Sequence, residues 1–203
     1  TTGGFDAIIG NPPWDRMKLQ EVEWFAARRP EIAHQAKAAD RKIMIKALKE
    51  TGDPLHDGYL IAAERAKSAA EVAQKSGQYP LLSKGDINLY SLFVERTQKL
   101  VKPTGIVGLL VPSGIASDKS ASAFFKTIST KGRLSALLDF ENKKVFFPDV
   151  HASFKFCAFI AGGKTRTFEQ AECAFFLHNI AEIENATFGL QPSDFAAVNP
   201  NTG

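Results

Sequence analysis

The chain has 203 residues, of which 44% are apolar, 23% charged and 10% aromatic. This composition is typical of a globular domain, because disordered chains carry fewer large apolar residues and a higher net charge. The formal net charge of +3 is too small to indicate nucleic-acid binding by itself. The two cysteines cannot form a disulfide framework, and no His/Cys cluster has the spacing of a metal site, so we expect no metal.

The hydropathy of the chain and its first residues indicate where the protein is found and whether the chain is a fragment. No apolar stretch reaches the roughly 20 residues of a membrane span, and no signal-peptide pattern is present, so we expect a cytoplasmic protein without membrane contact. The chain starts at Thr1 without an initiator methionine and leads at once into an apolar run. We therefore expect residues 1–203 to be a fragment of a longer protein. The sequence indicates no oligomeric state.

The first predicted element is a buried strand at residues 5–10, identified by its length and β-branched content. Residues 15–85 differ in character, because Ala, Glu, Lys, Arg and Gln dominate and apolar residues recur at helical spacing. This segment predicts two or three helices, broken near Pro30 and at residues 51–54. We interpret it as a helical insertion after the first strand.

The helical insertion carries two small basic clusters, Arg28-Arg29 and Arg41-Lys42. A solvated helix surface is the simpler interpretation. Contact with DNA phosphates is the alternative, because such contacts position a protein on a duplex.

From Asp86 onward the pattern alternates between helix and strand. We predict a helix at 86–100, a turn at 102–105, a strand at 106–111, a helix at 120–130, and strands at 134–140, 154–160 and 171–178. Strands that alternate with helices of this length predict an α/β fold with a mainly parallel sheet. An antiparallel hairpin at the end of the sheet is compatible with the pattern.

Asn11-Pro12-Pro13-Trp14 follows directly on the first predicted strand. In open α/β sheets, ligands bind at the carboxyl ends of the strands. The two prolines fix φ and remove two N–H donors, so the Asn11 side-chain oxygen and the Pro12 carbonyl have no nearby backbone donor. Beside the ring of Trp14, this corner suits a planar ligand that carries an amino group.

Alkylation of an exocyclic amine needs such an arrangement of two acceptors beside an aromatic ring. The lone pair of adenine N6 is delocalised into the ring, and two acceptors that hold both N–H bonds favour a more tetrahedral nitrogen. An aromatic ring can stack on a base that has been taken out of the duplex. The structural alternative is a proline-rich turn after a strand, with Trp14 in the core.

Residues 5–14 as a whole resemble motif IV of the S-adenosylmethionine-dependent DNA adenine-N6 methyltransferases. Residues 88–95 and 100–113 are similar to the helix and strand that carry motifs V and VI of that family. The helical insertion and the ending at 194–202 resemble the methylase part of type IIG restriction–modification enzymes. The resemblance implies a Rossmann-like methyltransferase sheet, of which this chain holds only the catalytic half.

The resemblance also implies roles for the motif residues. Asn11 and the carbonyl of Pro12, which precedes Pro13, would accept hydrogen bonds from the target N6. Trp14 would stack on the flipped adenine, where Tyr or Phe is more usual. Asn11 would also touch the methyl end of the cofactor.

Two phenylalanines receive implied roles as well. Phe93 would pack on the adenine ring of the cofactor, S-adenosylmethionine, and Phe154 would stack on the other side of the target base. Core packing is the alternative for both. His151 and Lys155 could touch phosphate or the base, although a lone His or Lys is usually a solvated surface group.

The family pattern is incomplete in this chain. Its glycine-rich cofactor loop and ribose-binding acid precede motif IV and are not found here, so we expect the fragment alone to be inactive. The expected activity of the full-length protein is methyl transfer from S-adenosylmethionine to adenine N6, with double-stranded DNA as partner. The alternatives are a protein glutamine N5-methyltransferase, which shares an Asn-Pro-Pro-Tyr motif, and a non-catalytic domain that binds DNA or a partner.

Overall fold

The structure is a computed structural model that describes residues 3–198. Its contacts divide the chain into two compact units. One unit is Arg16–Gln78, which lies inside the predicted insertion. The other unit combines the residues up to Asp15 with those from Tyr79 onward, and we call it the sheet unit.

The elements alternate between helix and strand outside the insertion, as expected for an α/β fold. The strands are β1 Phe5–Gly10, β2 Val101–Pro112, β3 Leu134–Glu141, β4 Lys155–Gly162, β5 Ala171–Leu177 and β6 Phe188–Leu190. The helices of the sheet unit are α5 Leu89–Leu100, α6 Gly114–Ser117, α7 Ser122–Ser129, α8 Ile183–Ala186 and α9 Pro192–Val198. Those of the insertion are α1 Glu21–Ala26, α2 Pro30–Ala33, α3 Ala38–Glu50 and α4 Pro54–Lys75.

The six strands form one mixed sheet in the order β1-β2-β4-β3-β5-β6. The ladders β1–β2 and β3–β5 are parallel, whereas β4 is antiparallel to both of its neighbours. The strands β1, β2, β3 and β5 therefore share one direction, and their carboxyl ends lie at the same edge. This confirms the predicted α/β fold with its helical insertion. The expectation of a mainly parallel sheet is wrong, because the described ladders β2–β4, β3–β4 and β5–β6 are antiparallel.

The position of β4 corrects one expectation. The pattern allowed an antiparallel pair at the end of the sheet, and β5–β6 is such a pair. A further antiparallel hairpin, β3–β4, lies in the middle of the sheet, with β4 between β2 and β3. Residues 142–154 connect the two strands without a helix. Since a parallel neighbour needs a long crossover, a chain that returns through such a loop pairs antiparallel.

The predicted turn at 102–105 is also wrong, because β2 runs continuously from Val101 to Pro112. Residues 102–105 instead produce a register shift of β2 against β1, in which Phe5 pairs with Val101 and Ala7 with Ile106. The chain that follows β4 supplies partners here, since the Gly163 N–H donates to the Gly105 carbonyl over 2.9 Å. These long-range hydrogen bonds outweigh the local preference of Pro and Gly for a turn.

The sheet unit has two apolar clusters because side chains alternate along each strand. In β4, Phe159 packs with buried residues of α5 and α7, such as Val94 and Phe124. Phe156 belongs to a second cluster with Phe140. This second cluster, which also contains Ala174 and Leu177 and which we call the Phe156 cluster, packs against the ring of Trp14.

The insertion has its own apolar core, in which Phe25 is fully buried. Pro30 begins α2, as the predicted break requires, and Asp53 caps α4 by accepting the Leu55 N–H over 2.9 Å. Asp53 also accepts from Arg29 over 2.6 Å. The basic cluster at Arg28-Arg29 is thus partly neutralised within its own unit.

None of the helices in the described part of the chain is both long and apolar enough to span a membrane.

Candidate active site

Asn11-Pro12-Pro13-Trp14 begins where β1 ends, at the edge that carries the carboxyl ends of the parallel strands. The last residue of β1, Gly10, pairs with Leu109 of β2. Asn11 is exposed and Pro12 is buried. Among residues 3–198, neither the Asn11 side chain nor the Pro12 carbonyl has a hydrogen-bond partner. Two acceptors from consecutive residues at this edge are therefore without a partner among the described residues.

Trp14, the last residue of the motif, is half-buried and packs against the Phe156 cluster. Its indole Nε1–H donates to the Leu110 carbonyl of β2 over 3.3 Å. Its ring stacks on Phe154, with centroids 5.5 Å apart and planes 7° from parallel, and meets the edge of Phe147 at 5.5 Å. The two residues predicted to hold the target base are therefore neighbours.

The stacked arrangement has a consequence for ligand binding. The planes of Trp14 and Phe154 are nearly parallel, with ring centroids 5.5 Å apart, so a planar base between them would have to move the rings further apart. Phe154 immediately precedes β4. The strand begins at Lys155, one residue later than predicted. Phe154 is 37% exposed, so part of its surface remains open to a ligand.

Phe93 lies on the outer surface of α5, where it is 47% exposed. Its neighbours Leu92 and Val94 are buried, so α5 packs against the sheet on both sides of Phe93 and leaves Phe93 itself exposed. Core packing of Phe93 is thereby excluded. The start of α5 is tied to the motif, because the Leu89 N–H donates to the Asp15 carbonyl over 2.8 Å.

The β3–β4 loop contains a residue that the sequence analysis did not single out. Asn142 is fully buried, and its side-chain amide donates to the Phe147 carbonyl over 2.8 Å. The only signal available in the sequence was the preference of Asn for loops, which does not distinguish a buried amide from an exposed one. His151, in the same loop, is exposed and contacts only Ser153 through its ring nitrogen.

A cavity lies on the face of β4 opposite to Phe156. The sequence did not predict it. Asp139 accepts from the Ser113 hydroxyl, and the Lys155 Nζ lies 4.3 Å from the centre of the Phe176 ring. These residues line an open cavity of about 260 Å³. Burial, together with the charge of Asp139, raises the pKa of the Cys157 thiol in this cavity, so the thiol stays protonated and is a poor nucleophile.

No group of three or more His, Cys, Asp or Glu side chains in the described ranges is arranged to hold a metal ion.

A family comparison matches residues 59–146 to the Eco57I restriction-modification methylase family. This segment runs from α4 to the beginning of the β3–β4 loop and includes Phe93. It confirms the resemblance to restriction–modification methylases that the motifs predicted. The motif residues 11–14 and Phe154 lie outside the matched segment. A comparison with curated protein sequences finds no match.

Solved structures similar to this chain include a protein–DNA complex, a restriction endonuclease and a restriction-modification methyltransferase subunit. A DrdV–DNA complex has a TM-score of 0.46 and 13% identity over 91% of this chain and 17% of its own. The type IIG restriction endonuclease BpuSI has a TM-score of 0.44 and 15% identity over 66% of this chain and 18% of its own. A type I restriction-modification methyltransferase subunit from Streptococcus thermophilus has a TM-score of 0.42 and 11% identity over 90% of this chain and 31% of its own. The chain therefore spans less than a third of each of these proteins.

Proposed function

We propose that this chain is the catalytic part of a DNA methyltransferase from a restriction–modification system, and that the methyl group goes to adenine N6. The observation that carries the proposal is the pair of unpartnered acceptors, Asn11 and Pro12, at the carboxyl edge of the sheet beside the Trp14 ring. An amino group with two N–H bonds matches two adjacent acceptors. The match to a restriction–modification methylase family supports methyl transfer as the reaction class.

The two acceptors would act on the nucleophile. The Asn11 oxygen and the Pro12 carbonyl would each accept one N6–H bond, which directs the nitrogen lone pair away from both of them. As the new N–C bond forms, the bond between the methyl group and the cofactor sulfur would break and its electron pair would stay on sulfur, which becomes a neutral thioether. N6 then loses one proton to solvent, and an acceptor already aligned on that N–H stabilises the positive charge that develops on nitrogen. Because Pro12 and Pro13 restrict the backbone, this geometry is largely preorganised.

Trp14 and Phe154 would hold the base. Their faces lie within 5.5 Å of each other, and an adenine that left the duplex could stack on one ring or separate the two. The DNA partner follows from this role, since a base must be turned out of the helix to reach the edge of the sheet.

S-adenosylmethionine, when bound, supplies an electrophilic methyl group attached to sulfur. The residues of this chain fit one part of that cofactor: Phe93 offers an exposed aromatic face on α5, and Asn11 lies at the end of β1. No strand–turn–helix unit with a glycine-rich turn precedes β1 among the described residues. Binding by this chain alone should therefore be weak, about millimolar if a single stack supplies roughly −4 kcal/mol.

The test is a methylation assay with a longer protein that contains this chain, tritiated S-adenosylmethionine and duplex DNA. Asn11→Ala should lower the methylation rate by about 10²–10³-fold, the usual effect of removing one preorganised hydrogen-bonding group. Asn185→Ala is the matched control, because Asn185 is an exposed asparagine in α8 and should leave the rate unchanged.

Three results would contradict the proposal. The first is methyl transfer to cytosine or to a protein glutamine amide, and the second is near-normal turnover by Asn11→Ala. The third is DNA binding without any methyl transfer, which would favour the non-catalytic alternative.

A further inference from the structure

Asn142 is the polar side chain most completely enclosed near the candidate site. It is fully buried and is the first residue after β3. Its side-chain amide donates to the carbonyls of Phe147, over 2.8 Å, and Val150, over 3.0 Å. Its side-chain oxygen accepts the Phe147 N–H over 2.9 Å. One amide group thus satisfies backbone groups on both halves of the β3–β4 loop.

The backbone around Asn142 fixes the same loop at its other end. The Asn142 N–H donates to the Phe154 carbonyl over 2.8 Å, and the Lys143 N–H donates to the Ala152 carbonyl over 2.8 Å. Lys143 and Lys144 both have positive φ, 42° and 62°, which is unfavourable for residues with a Cβ. This local conformation persists because the buried hydrogen bonds of Asn142 stabilise it.

The loop that Asn142 organises carries both aromatic partners of Trp14. Phe147 meets the Trp14 ring edge-on and Phe154 meets it face-on. Phe147 shares two hydrogen bonds with the Asn142 side chain, and Phe154 shares one with the Asn142 backbone. The Asn142 side chain therefore holds Phe147 directly, and it acts on Phe154 through the loop that it closes.

We propose that Asn142 is the positioning residue of the base-stacking site: its buried amide holds the β3–β4 loop closed and so sets where the loop places Phe147 and Phe154 against the Trp14 ring. This inference rests on the proposed function for its biological meaning. Asn142 itself does not reach the open edge, and it acts through the two phenylalanines. An amide is required at this position because it offers donors and an acceptor in one planar group. A carboxylate has no donor, so its oxygen atoms would repel the carbonyl oxygens of Phe147 and Val150.

The first experiment uses the chain itself, with Trp24→Phe so that Trp14 is the single tryptophan of the two. Asn142→Asp should raise the acrylamide quenching of Trp14 fluorescence at least about twofold, because the buried network that holds the covering rings is broken. The control is Asn185→Asp, the same substitution at an exposed position of the same unit, which should leave quenching unchanged.

A second variant decides the matter if Asn142→Asp does not fold. Asn142→Gln keeps the donors and the acceptor but moves them by one methylene, so the chain should fold with the phenylalanines displaced. If Trp14 quenching in the folded Asn142→Gln chain equals that of the unaltered chain, the inference is wrong, whatever the function of the protein is.

The third experiment tests whether the placement of Phe147 and Phe154 affects the reaction in the longer protein. Asn142→Gln should lower kcat and the fluorescence of 2-aminopurine placed at the target position, with KM for S-adenosylmethionine unchanged. An unchanged 2-aminopurine signal would overturn the inference, and the proposed function would stand if Asn11→Ala still abolishes methylation. Full methylation by Asn11→Ala would refute the proposed function and leave the quenching result to decide the role of Asn142.

Discussion

Replacement of Trp14 separates its packing from its proposed contact with a base. Trp→Ala substitutions at fully buried positions lower the free energy of unfolding by about 3–5 kcal/mol. Trp14 is half-buried, so we expect Trp14→Ala to lower it by about 2–3 kcal/mol. Trp14→Phe keeps the aromatic contacts and removes the hydrogen bond to Leu110, a loss of about 1 kcal/mol.

Thermal unfolding followed by far-UV circular dichroism measures these differences. For a chain of this size, about 2–3 kcal/mol corresponds to a fall in Tm of roughly 5–10 °C, and about 1 kcal/mol to roughly 2–4 °C. Phe188→Ala is the control for loss of an aromatic ring, because Phe188 is 47% exposed. If Trp14→Ala melts within about a degree of the unaltered chain, the ring does not pack as described and the reasoning is refuted.

The same variants test the stacking role in the longer protein. Base–aromatic stacking contributes about 1–3 kcal/mol, so Trp14→Ala should weaken binding of the flipped base by roughly 5–150-fold. Trp14→Phe should retain most of that binding. A 2-aminopurine reporter at the target position measures the effect, and an identical signal in Trp14→Ala would show that the ring serves packing only.

Three further predictions concern other residues. Phe93→Ala and Phe188→Ala should each lower the free energy of unfolding by about 1 kcal/mol, less than Trp14→Ala, because both side chains are 47% exposed. Only Phe93→Ala should weaken cofactor binding in the longer protein, as measured by calorimetry. Glu95 is buried and accepts two backbone N–H groups of the segment before α5, so Glu95→Gln should lower the free energy of unfolding by about 1 kcal/mol in urea titrations. Burial raises the pKa of Cys173 to about 11, so this thiol should resist alkylation at pH 8 until the chain is unfolded. The pKa of Cys173 in the folded chain is above the ordinary value of 9.0, so the protonated thiol stabilises the fold below pH 9. The free energy of unfolding should therefore fall between pH 9 and 11, and it should fall less steeply with pH in Cys173→Ala.

The sequence predicts the elements whose signals are local. The run at 5–10 followed by Asn-Pro-Pro-Trp is sufficient to predict β1 and the position of the motif at its carboxyl end. The helix at 86–100 and the strand at 134–140 are likewise indicated by period and composition, and they correspond to α5 and β3. Each of these elements depends on neighbours within a few residues, so local pattern and final structure agree.

The remaining features depend on partners that are distant in sequence. Residues 102–105 have the composition of a turn, but hydrogen bonds from the chain after β4 hold them in β2. The helical period allows Phe93 to share a face with Leu92, and only the packing of α5 against the sheet decides that Phe93 is exposed. Asn142 has the residue type of an ordinary loop position, and its burial becomes apparent only when the loop closes around it.

The tryptophan of the motif has a physical explanation in the fold. The resemblance leads one to expect Tyr or Phe at position 14, and neither ring has a donor in the place of the indole N–H. Trp14 uses this donor to bind the Leu110 carbonyl of β2 while its face stays against Phe154. Because the ring is anchored at its edge, its orientation for stacking is fixed by β2 as well as by the motif backbone. The larger ring therefore fits the proposed stacking role and also ties the motif to the sheet.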